Sequence, residues 1–286
     1  MNLSRSLAGL AIVVTVFAAA SAGAQIRVGS VVNARGAAGW TLDGGNMSNT
    51  RAKLLAAANF GASGTVSKPV VITDTAATSG SINAALLANF DVFFIGYYPT
   101  GTFTAAETAA LQTWVNGGGA LVATCDDAGH ADVCTAFGYT PTTQASPPVV
   151  PTAAGASGPV FNGPFGLASS VSMNATEGFF PTTGAATIIG QDSAVTPHAT
   201  VLQQTLGSGK ALFLSDVDMI SNFTLSAGTG ISNSNDRLLG NAFAFAGSGA
   251  APPPPVNTAP IPIDHRLLVL MALALAALGW HRLRRR

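Results

Sequence analysis

Short apolar runs alternate with amphipathic helical patterns over residues 26–246, and this alternation constrains the fold more than any other feature of the chain. Continuous apolar runs are typical of strands that are buried on both faces. Their alternation with helices predicts βαβ units and an open, mostly parallel sheet with helices on both faces, an α/β fold. The predicted strands are residues 26–32, 70–73, 91–96, 120–124, 200–206 and 210–215.

Helical spacing of apolar residues predicts the intervening helices. Thr104 should begin one of them, because Glu107 follows three residues later in a capping-box pattern. Ser81 is expected to cap an earlier one. The other predicted helices are residues 50–60, 79–89, 131–137 and 235–245.

Residues 139–200 break this periodicity and are rich in Gly, Pro, Ser and Thr. We expect an irregular excursion of short strands and loops over one end of the sheet. Regularity returns with two strands around the Gly207–Gly209 turn, which predicts a hairpin.

Charge is sparse and unevenly placed. Only 9% of the 286 residues are charged and 48% are hydrophobic, which excludes a disordered chain. Residues 25–251 hold seven basic and 12 acidic side chains, so the body is acidic. Such a body does not attract phosphate backbones, and we expect no nucleic-acid partner.

The N-terminal 24 residues resemble an export signal. Arg5 precedes an apolar stretch over residues 7–20, and small residues follow at 22–24. This pattern predicts a secretory signal peptide cut between Ala24 and Gln25, with an uncleaved membrane anchor as the alternative. The folded domain should then span residues 25–249.

The C-terminal region has three parts. A Pro-rich linker covers residues 250–262, fourteen apolar residues follow at 267–280, and a basic cluster closes the chain. A transmembrane helix over residues 267–281 would be a marginal span, held with its basic end in the cytoplasm. The basic residues are Arg282, Arg284, Arg285 and Arg286.

Residues 260–286 resemble the PEP-CTERM and IPTL-CTERM sorting signals of Gram-negative bacteria. The short motif would be Pro260, Ile261, Pro262, Ile263 and Asp264, which departs from the usual I-P-T-L. The resemblance implies cleavage by an exosortase, a membrane-embedded cysteine transpeptidase. It also implies an inner-membrane intermediate with the body in the periplasm, then a cell-surface or extracellular-matrix location. The alternative is a plain tail anchor.

Four segments of the body resemble the class I glutamine amidotransferase-like fold, an open flavodoxin-like sheet. They are residues 87–96, 103–122, 209–216 and 235–241, and they are fold motifs, not site motifs. In that fold a nucleophilic Cys follows a central strand in a tight turn. Cys125 stands near such a place, with His130 five residues later.

Cys125 and Cys134 therefore have three interpretations. In an exported protein the pair is expected to form a disulfide. The alternative is a catalytic site of Cys125, His130 and Asp216, although Asp126 and Asp127 would raise the pKa of the thiol. The third interpretation is that both cysteines are free structural thiols. His130 and His198 are expected to be solvated loop side chains.

Several aspartates follow apolar strands: Asp126, Asp127, Asp132, Asp216 and Asp218. In an open α/β sheet this is the edge where ligands bind. Their carboxylates could hold calcium at Asp126, Asp127, Asp216 and Asp218, or they could simply cap helices and close turns. No loop has the spacing of a calcium-binding motif, so no cofactor is expected.

These observations predict an exported, surface-sorted binding protein of the envelope or matrix, without catalytic activity, and with extracellular polysaccharide as a partner. The alternative is a secreted hydrolase or amidase at the sheet edge near Cys125.

Overall fold

A mixed, mostly parallel sheet of eight strands forms the centre of the computed structural model, which describes residues 25–174 and 178–249. The strands of the described chain are β1 Ile26–Val31, β2 Val70–Thr75, β3 Val92–Ile95, β4 Ala120–Thr124, β5 Thr142–Thr143, β6 Val150–Pro151, β7 Asn162–Gly163, β8 Gly166–Leu167, β9 Gly178–Phe179, β10 Thr187–Gln191, β11 Ala199–Leu206 and β12 Gly209–Leu214. The α-helices are α1 Ser48–Leu55, α2 Ala84–Leu87, α3 Ala105–Asn116, α4 Asp132–Ala136, α5 Ala153–Ser157 and α6 Ser234–Gly247, and short 3-10 helices cover Asn33–Arg35, Gly45–Met47 and Val217–Ile220.

The order across the sheet is β2-β1-β3-β4-β12-β11-β10-β6. The first five strands pair in parallel, and β11, β10 and β6 extend the sheet by antiparallel pairing. The predicted α/β class and the predicted hairpin of β11 and β12 are both confirmed.

The central strands β1, β3, β4 and β12 are buried on both faces, as continuous apolar strands require. Phe94 and Leu212 point to a core that includes Phe243 of α6, whereas Phe93 and Phe213 point to a second core that includes Leu111 of α3. The helices therefore divide between the two faces.

Two predicted helices are shorter than the sequence indicated. The helix predicted over residues 50–60 is α1, which ends at Leu55 because Ala56 takes an extended conformation. The chain then turns, and Phe60 is buried in a bridge with Val66. This burial of an aromatic ring outweighs local helix propensity.

The helix predicted over residues 79–89 is only α2, and its cap differs from the prediction. The side chain of Asn83 accepts the N-terminal hydrogen bond from the Leu86 amide, 3.0 Å away. Ser81 instead donates to the Thr78 carbonyl, so Ser81 as the cap was wrong. In contrast, the capping box of Thr104 and Glu107 on α3 is confirmed.

The irregular excursion is more integrated with the sheet than expected. Its strands β10 and β6 are members of the main sheet, and only β5, β7, β8 and β9 form separate two-stranded pairs. Helix α5 packs closely on β10, where the amide nitrogen of Thr152 donates to the Ile189 carbonyl.

Within residues 25–174 and 178–249, no helix is both long enough and apolar enough to cross a bilayer. The expected signal peptide, Pro-rich linker, sorting motif, transmembrane helix and basic cluster lie outside the described residues.

Candidate functional site

A cleft of about 270 Å³ opens at the carboxyl ends of the parallel strands. The parallel strands run in the order β2-β1-β3-β4-β12. The connections that follow β1 and β3 therefore run in opposite directions across the sheet, and open α/β sheets bind ligands at the point between two such strands. We call this the acidic cleft, and it is lined by Trp40, Tyr97, Asp126, Asp127, Asn174, Asp216, Val217 and Asp218.

Trp40 and Tyr97 come from the two segments that flank this divergence. The Tyr97 amide, directly after β3 and Gly96, donates to the Trp40 carbonyl at 3.2 Å. Gly96 permits this approach, because a Cβ atom there would lie 2.0 Å from the same carbonyl oxygen. The two rings lie 6.2 Å apart at 58°.

Two further rings continue this aromatic surface. Phe223 stacks on Trp40 at 5.4 Å, and His130 stacks on Tyr97 at 3.8 Å. His130 is held in place because its Nδ1 lies 3.0 Å from the Asp127 carboxylate. We call Phe223, Trp40, Tyr97 and His130 the aromatic strip.

Asp126 and Asp216 form a pair of carboxyl groups, because each follows one of two neighbouring parallel strands, β4 and β12. Each also accepts a backbone hydrogen bond, Asp126 from the Val217 amide at 2.8 Å and Asp216 from the Asp218 amide at 2.7 Å. The two side chains also interact with each other, through their charges and through a side-chain hydrogen bond. We call them the cleft pair.

Burial is the main reason why the pKa of both carboxyl groups lies well above the usual range. For Asp126 the charges of Asp218 and Asp127 add to burial, and for Asp216 the charge of Asp126 does so. The described residues that line the cleft include no Lys or Arg to offset this repulsion. At neutral pH the cleft pair therefore shares a proton.

The other two carboxylates are fixed by short local contacts. Asp218 accepts from the Ser221 hydroxyl at 2.6 Å, and Asp127 accepts from the Gly129 amide at 2.6 Å.

Burial, with the charges of Asp126, Asp127 and Asp216, raises the pKa of Tyr97 to about 12, so its phenol is a neutral hydrogen-bond donor.

The structure brings four of the five strand-end aspartates together and leaves out Asp132. The Asp132 carboxylate accepts from the Gly101 and Phe103 amides, which makes it a loop-closing residue. In the described part of the chain, no group of three or more His, Cys, Asp or Glu side chains is arranged to hold a metal ion. The calcium interpretation stays a prediction without structural support.

Cys125 and Cys134 are joined in a disulfide, with Cα atoms 6.4 Å apart. Cys125 is also 1% exposed, so its sulfur is not available as a nucleophile. The alternative catalytic set loses its thiol to this disulfide, and His130 contacts Asp127 and Tyr97.

The two histidines are not the solvated loop residues that their positions suggested. His198 lies 2.7 Å from the buried Asp192 carboxylate and stacks on Phe179 at 4.1 Å. In both histidines, one ring nitrogen therefore contacts an aspartate carboxylate, and the ring stacks on an aromatic side chain.

Sequence reasoning missed the aromatic half of the site. Trp40 lies in a Gly-rich segment after β1, and Tyr97 directly follows the apolar run of β3. An aromatic residue immediately after a predicted strand, at the edge where the aspartates were expected, was the available signal for Tyr97.

No model of a known protein family matches the chain, and no curated protein matches it. Among solved structures it is similar to a ThuA-like protein from Bacteroides uniformis, with 13% identity over 78% of this chain and 92% of that chain and a TM-score of 0.47. It is also similar to the mmIFT52 N-terminal domain, with 13% identity over 65% and 87% and a TM-score of 0.44. A third is the exo-β-1,4-mannosidase Op5Man5 from an Opitutaceae bacterium, with 17% identity over 60% and 27% and a TM-score of 0.35. Since all three TM-scores are below 0.5, these likenesses carry no argument about function.

Proposed function

We propose that the protein is an exported, non-catalytic binding protein whose acidic cleft holds a glycan of the cell envelope or extracellular matrix. The observation that carries this proposal is the combination of Trp40 and Tyr97 with four aspartates in one cleft. Sugars offer apolar C–H faces and many hydroxyl donors, and this lining supplies a partner for each.

The aromatic rings supply the apolar contact. A sugar with equatorial substituents has a flat C–H face that packs on an aromatic ring, as apolar groups generally do. Trp40 and Tyr97 are both half-buried, so part of each ring is open to a ligand.

The carboxylates supply the polar contact and the charge selection. Ionised carboxylates only accept hydrogen bonds, so they match hydroxyl and ammonium donors. A negative cleft without a lining Lys or Arg repels uronic, sulfated or phosphorylated sugars. The proposed ligands are therefore neutral sugars or amino sugars.

We also propose that the domain is amidotransferase-like, that is, flavodoxin-like. The order of its five parallel strands supports this, because numbering them along the chain gives 2-1-3-4-5. Fold alone does not define activity, so the function still depends on the cleft.

Export and sorting are part of the same proposal. The Cys125–Cys134 disulfide supports an oxidising compartment. The proposed route is signal-peptide removal after Ala24, passage through an inner-membrane intermediate, and exosortase processing at residues 260–264. The mature protein would then reside at the cell surface or in the matrix.

Binding of the secreted domain to a glycan panel tests the proposal. The panel contains β-linked polymers of glucose, N-acetylglucosamine and glucosamine, with alginate as an anionic comparison. We expect binding to a neutral or amino polymer but not to alginate, and Trp40→Ala should weaken it tenfold or more, as for aromatic residues at binding centres. Val195→Ala, at a fully exposed site that does not line the cleft, is the control and should bind normally.

Absence of binding to every neutral and amino polymer would contradict the proposal. Equal affinity of the Trp40→Ala variant and the wild type would also contradict it, because binding would then not involve the cleft.

A second candidate is a hydrolase that uses the cleft pair in place of Cys125. The shared proton favours it, because one protonated and one ionised carboxyl group can act as general acid and general base on a bound water. This candidate predicts that the wild type releases soluble sugars from a bound polymer and that Asp216→Asn does not. Stable binding without product release by the wild type would exclude it for that polymer.

A further inference from the structure

We propose that Phe223 is an outer subsite of the acidic cleft, so that the ligand is a glycan chain bound along its length and not a single sugar or a chain end. This inference rests on the proposed glycan-binding function and specifies the kind of glycan. Three observations on Phe223 carry it: its exposure, its stacking on Trp40 and its fixed backbone.

Phe223 is 58% exposed, although it belongs to a well-packed domain. It does not line the cleft itself but stacks on Trp40, which does, with the rings 5.4 Å apart and 23° from parallel. The aromatic surface therefore continues from the cleft outward. An exposed ring in this position contributes little to the core and leaves one face available to a ligand.

The backbone that carries Phe223 is fixed by its neighbour Asn222. The Asn222 amide nitrogen donates to the Asn46 carbonyl at 2.8 Å, and its Nδ2 donates to the Gly45 carbonyl at 2.7 Å and to the Ser48 hydroxyl at 2.9 Å. Its Oδ1 accepts from the Asn49 amide at 2.8 Å. A subsite held in this way binds with little ordering cost.

The aromatic strip holds more rings than Trp40 and Phe223. Tyr97 contacts Trp40 and His130 stacks on Tyr97, with ring separations of 6.2 Å and 3.8 Å. A ligand that covers Phe223, Trp40 and Tyr97 together must span more than one sugar ring, since the centroid of the Trp40 ring lies 5.4 Å from that of Phe223 and 6.2 Å from that of Tyr97. The negative cleft beside the strip restricts that chain to neutral or amino sugars.

Affinity as a function of chain length tests this inference. The probes are β-1,4-linked oligomers of glucose, N-acetylglucosamine and glucosamine, from monosaccharide to hexasaccharide, measured by calorimetry. For the wild type we expect affinity to rise as the chain becomes long enough to reach Phe223. Phe223→Ala should remove that rise, with a loss of about tenfold for the longest oligomer and almost none for the shortest.

Two variants separate the outer subsite from a general effect. Phe223→Tyr keeps the ring and should retain the dependence on length. Trp40→Ala should weaken short and long oligomers alike, because Trp40 lines the cleft. Since Phe223 is exposed, its replacement by Ala should leave the thermal unfolding of the domain nearly unchanged.

The outcomes distinguish this inference from the proposed function. Wild-type affinity that does not depend on length, together with a loss in Trp40→Ala, would overturn the outer subsite and leave the glycan-binding function in place. Tighter binding by Phe223→Ala would show that the ring covers the cleft, which also overturns it. No binding to any oligomer or panel polymer would overturn both.

Discussion

Two sets of buried carboxyl groups in this domain differ in what surrounds them. Glu107 and Asp236, which we call the paired acids, each contact a basic side chain, whereas Asp126 and Asp216 of the cleft pair contact each other. The basic partners are Arg35 for Glu107 and Lys53 for Asp236. The cleft pair instead faces an opening at the edge of the sheet.

The surroundings of the paired acids favour the ionised form. Burial alone would raise the pKa of Glu107, but two hydrogen bonds from Arg35 and others from the Thr104 and Ile82 amides lower it to about 2. Burial also opposes ionisation of Asp236, yet contacts with Ser226, Ser232, Asn233 and Lys53 lower its pKa. These two carboxylates stabilise the fold.

Ionisation of the cleft pair has the opposite effect on the stability of the folded state. Its raised pKa means that ionisation at the sheet edge destabilises the folded state. Each carboxyl group of the cleft pair accepts one backbone hydrogen bond, but no Lys or Arg is among the described residues that line the cleft. In the proposed function the cleft pair serves binding, and substitutions in each set test this difference.

Removal of a paired acid's partner should have the largest effect. Lys53→Met leaves the Asp236 charge buried without its cation and should destabilise the domain by about 3 to 5 kcal/mol. Arg51→Met is the matched control, because the Arg51–Asp74 pair is partly exposed and should change stability by less than about 1 kcal/mol. Urea unfolding at neutral pH measures both, and equal effects would contradict the assignment.

Loss of the disulfide should have the next largest effect on stability, because the Cys125–Cys134 bond restricts the unfolded chain. Replacing both cysteines with Ser should reduce stability by about 2 to 4 kcal/mol. Mass spectrometry of the exported protein without reduction should show the linked peptide. Complete alkylation of both native thiols would show instead that the bond does not form.

Neutralising one residue of the cleft pair should have a smaller effect on stability, and this substitution should stabilise the domain. Asp216→Asn keeps the acceptor for the Asp218 amide and removes the repulsion, so it should stabilise the domain by about 1 to 2 kcal/mol at alkaline pH. The folded wild type binds more protons than the unfolded chain above the ordinary carboxyl range, so its stability should fall as the pH rises through neutrality. The variant should lack that fall.

Asp236→Asn is the control for this change of sign. It removes a carboxylate with a lowered pKa. That carboxylate stabilises the folded state at pH values above the ordinary carboxyl range, so the substitution should destabilise the domain at neutral pH. Stabilisation by both substitutions, or by neither, would remove the distinction between the two sets.

The sheet could be predicted from sequence because its strands are continuous apolar runs. The gathering of Asp126, Asp127, Asp216 and Asp218 followed from the same logic, since the carboxyl ends of neighbouring parallel strands meet at one edge. The confirmed Thr104–Glu107 capping box is likewise a local pattern within four residues.

What could not be predicted depends on contacts between distant segments. Phe223 meets Trp40 across 183 positions of the chain, and no local pattern encodes that stacking. The early end of α1 at Leu55 has the same origin, because the Phe60 ring is drawn into the core against Phe165, 5.4 Å away. The choice of Asn83 over Ser81 as a cap was a local competition between two suitable residues.

A carbon-detected NMR titration of the side-chain carboxyl groups measures the paired acids and the cleft pair separately. We expect Asp126 and Asp216 to titrate well above the ordinary range, in two coupled steps, and Glu107 to titrate near the acid limit, at about 2. The cleft pair should also shift when a bound glycan is present. Titration of the cleft pair in the ordinary range of about 4, as for exposed aspartates, would contradict the account.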